Sequence, residues 1–481
     1  MLTGEEAWSW SGLGPRIMMY SQDGLGLGHM RRTGSIAQRL LQARPDASIL
    51  TLADSPLGRF FESTPNHDYL KLPSIVKLGP GDWRPSNLPL PFAGIITVRK
   101  ALIWAAVNTF RPHILLVDHM PHGAMGELLP TLQKLREANS DTRVVLGLRD
   151  ILDAPEVIRQ RWREEGAYDA LERYYDMVLV YGEREVFDMA EEYDLPVRGT
   201  SVSAGANGSL HYCGYVCTPS TARYAARVRA EQLGNGRFGD KLVVAMAGGG
   251  ADGYSMMRAL LDALPCILAH ERVILVLITG PFMPANLRRH LQAHANTAGL
   301  PARVRVTVSD SLSYIEAADL VVAMAGYNTT MEILRSRKPA ILNPRIGPSA
   351  EQRMRASLFA ARGWVRMIDP TDLSAERVAD SVLDVLAHDS SHQAERRPPL
   401  KGLDRAAELL LSLLPASAAS TMSESHETLE MDVPKRTDDR KPVLTEAKEP
   451  GRPPGVSAHT HEAGTRQPRS GHPSPRPLGP Q

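Results

Sequence analysis

Four short stretches of this chain gather glycines, small hydroxyl residues and ionisable side chains at the ends of apolar runs. The first, QDGLGLGHMRR at 22–32, sets Gly24, Gly26 and Gly28 ahead of His29, Arg31 and Arg32, where an apolar run gives way to a helical pattern. Glycines let backbone approach a ligand closely, and the first N–H groups of a helix lack intrahelical partners and favour an anion. The spacing is not that of a dinucleotide fingerprint. A tight strand-to-helix turn would account for the glycines alone, and either arginine could be a solvated surface charge. The histidine and arginines together point to an acidic or phosphorylated ligand or acceptor, with Arg31 the stronger candidate and Arg32 the weaker.

The second stretch, AMAGGGADG at 245–253, offers Gly248, Gly249 and Gly250 before a helix expected from Tyr254. There is room here for a diphosphate against backbone N–H groups, although a plain turn remains the alternative. In the third, MAGYNTTMEIL at 324–334, Gly326 gives a close turn, and Asn328, Thr329 and Thr330 can cap a helix or donate to phosphate oxygens. Glu332 could accept two hydrogen bonds from a ribose diol or simply complement the helix dipole. The fourth, NPRIGPSAEQRMRA at 343–356, brings Glu351 and Gln352 to a helix start, to reach sugar hydroxyls or to act as caps.

A displacement at an acceptor hydroxyl needs a base, and His29 and Asp118 are the candidates because each follows an apolar strand. Asp118 opens DHMPHG, which also holds His119 and His122. Asp118 is assigned to acceptor binding as well, and the two histidines stay unassigned. No D-x-D triplet occurs, so no metal is expected, and helix dipoles and N–H groups would have to stabilise a leaving diphosphate.

The elements that must position these residues alternate between short β-rich runs and helical patterns, which is the signature of parallel sheets covered by helices. RIMMYS (16–21), SILTLA (48–53), ILLVD (114–118), RVVLGL (143–148) and MVLVY (177–181) are five expected strands, with helices over Ser35–Leu41, Ala124–Leu135 and Pro155–Tyr175. The pattern pauses at HYCGYVCTP (211–219) and resumes with KLVVAM (241–246), RVILVLI (272–278), RVRVTV (303–308), DLVVAM (319–324) and PAILN (339–343). The reading is therefore α/β: an N-terminal extension over 1–15, doubly wound domains over 16–210 and 223–416, a linker over 211–222, and a Pro-, Ser- and charge-rich tail over 417–481 expected to be disordered. The strand ends of both domains would face one cleft.

Composition narrows the function. With 55 basic and 54 acidic side chains and no long basic run, nucleic acid is not an expected partner. Cys213, Cys217 and Cys266 are too few and too irregular for a disulfide framework, and the expectation is a reducing, cytoplasmic setting with the first two cysteines as packing residues. The start carries Glu5 and Glu6 where an export signal needs positive charge. The apolar stretch at 101–107, directly after Arg99 and Lys100, is too short to span a bilayer, which leaves peripheral contact at the inner membrane face open. The wider segment Leu88–Phe110, with Phe92 and Trp104, reads as an acceptor-side surface or a core helix.

As an ordered set, the four motifs resemble glycosyltransferase family 28 and its neighbours, including the lipid II N-acetylglucosaminyltransferases, and are most similar to a group of predicted bacterial glycosyltransferases with a GLGH-x-RR start. The resemblance spans about 16–414 and implies the GT-B fold of two Rossmann-like domains. It implies that Gly26, Gly28 and His29 face acceptor and donor diphosphate, and that Gly248, Gly249 and Gly250 lie near the diphosphate. It also implies that Ala325, Gly326, Thr329 and Glu332 hold the nucleotide, with Glu332 on the ribose, and that Gln352 reads donor hydroxyls. Two departures stand out: Tyr327 and Asn328 replace a small Ala-Ser pair, and Arg355 replaces an asparagine in the pattern D-Q-x-x-N-A.

The implied activity is metal-independent, inverting transfer of a hexose or amino sugar from a nucleotide-diphosphate sugar to an acceptor hydroxyl, without a cofactor. UDP-linked sugars are among the candidate donors, and lipid-linked and small-molecule acceptors both remain open. The competing readings are a nucleotide-sugar hydrolase or 2-epimerase on the same fold and a non-catalytic sugar-nucleotide binding protein.

Overall fold

The computed structural model describes residues 13–22, 28–55, 64–79, 82–196, 209–218, 222–234, 240–388, 398 and 400–415. Gly24 and Gly26 of the first motif, the 1–12 part of the N-terminal extension and the 417–481 tail lie outside these residues.

Two parallel sheets organise the chain. The first comprises β1 (Arg16–Ser21), β2 (Ser48–Ala53) and β3 (His67–Lys71), and later β6 (Ile114–Asp118), β7 (Arg143–Arg149), β8 (Met177–Tyr181) and β9 (Ser209–Tyr212), in the order β3-β2-β1-β6-β7-β8-β9. Between β3 and β6 an antiparallel pair stands apart, β4 (Ile75–Gly79) with β5 (Asp82–Pro85). The second sheet comprises β10 (Lys241–Met246), β11 (Val273–Ile278), β12 (Ala302–Arg305), β13 (Leu320–Ala323), β14 (Ala340–Leu342) and β15 (Arg366–Met367), in the order β12-β11-β10-β13-β14-β15. Each sheet reverses its strand order beside its first strand, between β1 and β6 and between β10 and β13. Ligands enter open α/β sheets at such switch points. The two doubly wound sheets expected from the alternation are present.

Strands β1, β6 and β8 are buried at every position, as a parallel strand covered by helices on both faces must be, which is why RIMMYS, ILLVD and MVLVY contain almost no polar alternation. The helices that cover the first sheet are α1 (Gly28–Ala43), α2 (Phe92–Phe110), α3 (Leu129–Glu137), α4 (Pro155–Glu164), α5 (Ala167–Tyr174) and the short α6 (Met189–Glu192). Those of the second lobe are α7 (Ala225–Leu233), α8 (Tyr254–Leu268), α9 (Ala285–Thr297), α10 (Ser311–Ala317), α11 (Tyr327–Ser336), α12 (Glu351–Ala361) and α13 (Ala375–Ala387). A last helix, α14 (Gly402–Ser412), returns to pack on α1, where Arg39 Nε donates to Asp404 Oδ1 at 2.6 Å.

Local chemistry sets several boundaries. In α1, Met30, Thr33, Ala37 and Leu40 recur at the spacing of one buried helical stripe. The region expected as one helix over Pro155–Tyr175 is two, because Gly166 adopts φ +68° and breaks the ladder between α4 and α5. The region expected as a helix from Ala124 begins instead with a single 3-10 turn over Ala124–Gly126, and α3 starts only at Leu129. The segment that reads as a pause at 211–219 contributes the last two residues of the edge strand β9.

One apolar core runs through both lobes, with Met19, Leu116 and Tyr181 of the first sheet in the same cluster as Val244, Ala323 and Leu342 of the second. Cys213 and Cys217 are buried in it, and burial pushes their thiols up to about 12 and about 11. They are packing residues. Arg99, which reads as a charge flanking an apolar stretch, is fully buried on α2. It donates to Glu127 from Nε at 2.5 Å and from Nη2 at 2.6 Å, and Tyr20 hydroxyl donates to the same carboxylate at 2.5 Å. Ala124 N–H donates to that hydroxyl at 3.1 Å, so this buried network fixes the turn after β6. No described helix is long and apolar enough to cross a membrane.

Candidate active site

Helix α1 begins one residue before His29, and β6 ends on Asp118, so the switch point of the first sheet brings the two side chains together. His29 Nδ1 lies 2.5 Å from Asp118 Oδ2. Arg32, one helical turn after His29, donates to both oxygens of the same carboxylate at 2.8 Å from Nη2. Burial alone would raise the Asp118 carboxyl, but the charges of Arg32 and His29 outweigh it and hold the group below the usual carboxylate range. An ionised carboxylate only accepts hydrogen bonds, so the Nδ1 that faces it carries a proton, and Nε2 is the ring nitrogen turned away from Asp118. The arrangement is a histidine oriented and polarised by a buried acid, the geometry of a general base.

This changes the expectation for two residues. Asp118 is 2% exposed with both oxygens engaged, so it is placed to hold His29 and Arg32 and not to meet an acceptor itself. Arg32 is 3% exposed and committed to Asp118, so it is not an acceptor or phosphate ligand. Its guanidinium also lies 5.6 Å from the ring centroid of Tyr181 and 5.7 Å from that of Tyr327.

The second lobe meets α1 through α11. Asn328 Nδ2 donates to Gly28 O at 3.0 Å, and Arg31 Nη2 donates to Glu332 Oε1 at 2.5 Å. Glu332 is 1% exposed, its Oε2 has no hydrogen-bond partner, and burial raises its carboxyl despite Arg31 and Arg335 nearby. A buried oxygen without a donor is costly, and a ligand hydroxyl would satisfy it. Thr330 is buried and its hydroxyl donates to Gly326 O at 2.8 Å, so it serves its own helix and does not face a phosphate. Asn328 is likewise taken by Gly28. Thr329 is half-buried with no such commitment, and a side chain at Gly326 would meet only open space. Ala325 is buried, and its carbonyl accepts from Arg355 Nη1 at 2.7 Å.

In the glycine loop after β10, Gly248 adopts φ +60° and faces open space, whereas Gly250 adopts φ +98° and a side chain there would strike Thr279 O at 2.1 Å. Gly250 N–H is used by Ala247 O at 3.1 Å, so Gly250 closes the turn and Gly248 and Gly249 remain to present backbone to a ligand.

The fourth motif divides in the same way. Gln352 is half-buried and its Oε1 accepts from Arg345 N at 3.2 Å, which leaves its amide N–H groups to donate. Glu351 is 3% exposed and is clamped by Arg149 of the first lobe, with Arg355 Nη1 3.6 Å away. Burial would raise its carboxyl, but Arg149, Arg355 and Arg345 hold it below the usual range. It is therefore an inter-lobe ion-pair residue and not a reader of sugar hydroxyls. Arg355 is fully buried and grips Asp150 of the first lobe at 2.8 and 2.6 Å.

A pocket of about 750 Å³ opens beside His29. Its walls include His119, Met120, Met125, Trp83, Trp162 and Arg161 of the first lobe, with Arg345 reaching in from the second. The rings of His29 and His119 are 5.2 Å apart, and burial with Arg149 nearby pushes His119 well below its ordinary value, so it is neutral. Among the described residues no group of three or more His, Cys, Asp and Glu side chains forms a metal site. Sequence reasoning missed Arg149, Asp150 and Arg345. Arg149 ends the strand RVVLGLR and Asp150 directly follows it, and the rule that ligands gather at carboxyl ends of strands would have found them.

Known proteins match this arrangement in part. Residues 243–410 match the glycosyltransferase family 28 C-terminal domain. The chain is 30% identical over 177 residues to the UDP-N-acetylglucosamine--N-acetylmuramyl-(pentapeptide) pyrophosphoryl-undecaprenol N-acetylglucosamine transferase of Sinorhizobium fredii, covering 36% of this chain and 47% of that protein. It spans from 24% to 47% of the length of these curated relatives, the lower figure for the Corynebacterium glutamicum protein of the same name, at 33% identity. Among solved structures, a glycotransferase of kitacinnamycin aligns with TM-score 0.55 and 17% identity over 84% of this chain and 100% of that one. A Siraitia grosvenorii transferase in complex with UDP aligns with TM-score 0.55 and 14% identity over 82% of this chain and 99% of that one. These likenesses establish the GT-B fold.

Proposed function

We propose that this chain, whose residues 243–410 carry a glycosyltransferase family 28 C-terminal domain on a GT-B fold, transfers a sugar from a nucleotide-diphosphate donor, UDP-linked as in its relatives, to an acceptor hydroxyl. The observation that carries this reading is the His29–Asp118 pair, set at the first lobe's switch point and bordered by the start of α11.

In this mechanism the acceptor O–H donates its proton to His29 Nε2 as the oxygen attacks the anomeric carbon. The bond from that carbon to the diphosphate oxygen breaks, and the electron pair leaves with the nucleoside diphosphate. Attack opposite the leaving group inverts the anomeric centre. The imidazolium so formed is stabilised by Asp118, itself held ionised by Arg32. The leaving diphosphate is met by Gly248 and Gly249 backbone, by the N-terminus of α11 and by Thr329, groups that need no metal to act. Glu332 takes the ribose, with Oε2 awaiting a donor, and Gln352 the sugar.

Calorimetric titration with nucleoside diphosphates and their sugars, with and without EDTA, tests this. Selective binding insensitive to EDTA is expected, and release of nucleoside diphosphate that depends on an added acceptor. Absence of binding by any nucleotide overturns the reading. Acceptor-independent release of free sugar would instead favour a hydrolase.

A further inference from the structure

The pocket beside His29 has a distinctive chemistry. Its apolar walls are Trp83, Met120, Leu152 and Trp162, and at its rim Met125 is held at φ +51° with half of its surface exposed. A non-glycine residue held in left-handed backbone to present an apolar side chain to solvent costs stability. Into this apolar space comes a cation: Arg161, half-buried on α4, makes no ion pair and no side-chain hydrogen bond among the described residues. Arg345, the second cation, reaches only to 3.7 Å from Asp252, and its buried Nε has no partner. His122 is 7% exposed with Nε2 unbonded, 3.9 Å from the largely exposed Glu165, the single acid of the lining. Arg161 also lies within electrostatic reach of His119, whose ring neighbours that of His29.

A half-buried guanidinium is stabilised by a carboxylate, sulfonate or phosphate, and among the described residues none is paired with Arg161. We propose that the acceptor is a compact, ring-bearing acid, its apolar body between Trp83, Trp162 and the methionines and its anionic group on Arg161, so that the acid and the reacting hydroxyl lie near each other. The volume of about 750 Å³ suits a drug-sized molecule. This deepens the transferase reading and rests on it for the word acceptor, while the anion site itself stands on the pocket alone.

Two dyes with the same class of aromatic body separate these ideas. Anilinonaphthalene sulfonate carries an acid and N-phenyl-1-naphthylamine does not, and both report binding by fluorescence. The sulfonate dye is expected to bind the full chain at least tenfold more tightly than the neutral dye, with the advantage removed in Arg161→Gln and partly restored in Arg161→Lys. Equal affinity of the two dyes, or sulfonate binding indifferent to Arg161→Gln, overturns the proposal. Displacement of the sulfonate dye by a short ring-bearing hydroxy acid is expected to exceed displacement by a polyprenyl phosphate in detergent, and the reverse order overturns the compact acceptor. UDP titration of the same samples reports on the donor reading separately, since loss of UDP binding leaves the dye preference unaffected, and the dye preference can fail while UDP still binds.

Discussion

Arg355 and Asp150, 205 residues apart in the chain, meet across the two lobes in a fully buried bidentate pair. Breaking such a pair leaves one charge buried without compensation, which typically costs about 3–5 kcal/mol. Arg355→Met should therefore lower stability in urea by about that amount, while Asp150→Leu combined with Arg355→Met should cost far less than the two single changes added together. Additive losses would mean that the pair is not the unit holding this seam.

His29→Ala should reduce kcat by about 10²–10⁴-fold and leave UDP binding within error, because the ring touches the acceptor side and Asp118 keeps its pair with Arg32. Asp118→Asn should act through the tautomer of His29 and lower kcat in the same range. A change confined to KM in either variant would remove the base assignment.

Glu332→Ala should weaken UDP by ~1–3 kcal/mol through loss of the ribose contact. Because Arg31 donates to Oε1 of that carboxylate, Arg31→Ala should make uridine bind more tightly, by up to ~1 kcal/mol for an exchanged, partly exposed ion pair. Uridine affinity that is unchanged or lower in Arg31→Ala would show that Arg31 does not compete for the site.

Acid should destabilise the protein in part through His67, whose Nε2 is 2.9 Å from Thr51 Oγ1 and whose burial lowers it from 6.5 to about 4. The folded form thus holds this histidine neutral where the unfolded chain protonates it. Its contribution is full above pH 6.5 and is lost as the pH falls toward about 4, at about 1.4 kcal/mol per pH unit. His67→Gln should flatten the slope of unfolding free energy between pH 6.5 and pH 4, and an unaltered slope would exclude His67 as its source.

The central strands were legible because a covered parallel strand is a continuous apolar run, as in ILLVD and KLVVAM. Strands β3 (HDYLK) and β9 (SLHY) escaped because edge strands carry polar residues and few positions. In the site, the edge rule located His29 and Asp118, but only the fold shows that they bond to one another. Glu351 and Thr330 have the residue type and position of ligands. Their actual partners, Arg149 in the other lobe and Gly326 one turn back, depend on packing that spacing alone cannot express.

The residues that depart from the family pattern share one location. Tyr327 donates to Tyr181 O at 2.9 Å and accepts from Val216 N at 2.8 Å, Asn328 holds Gly28, and Arg355 holds Asp150. Each of them is a fastening to the other half of the molecule or to the segment that joins the halves. The halves are thus cut to one another, and a nucleotide-binding half borrowed from a relative with Ala-Ser and Asn at these places would strand a buried aspartate and leave a cavity where the tyrosine ring belongs. Exchanging donor preference by swapping halves would require carrying the N-terminal side of the seam along with it.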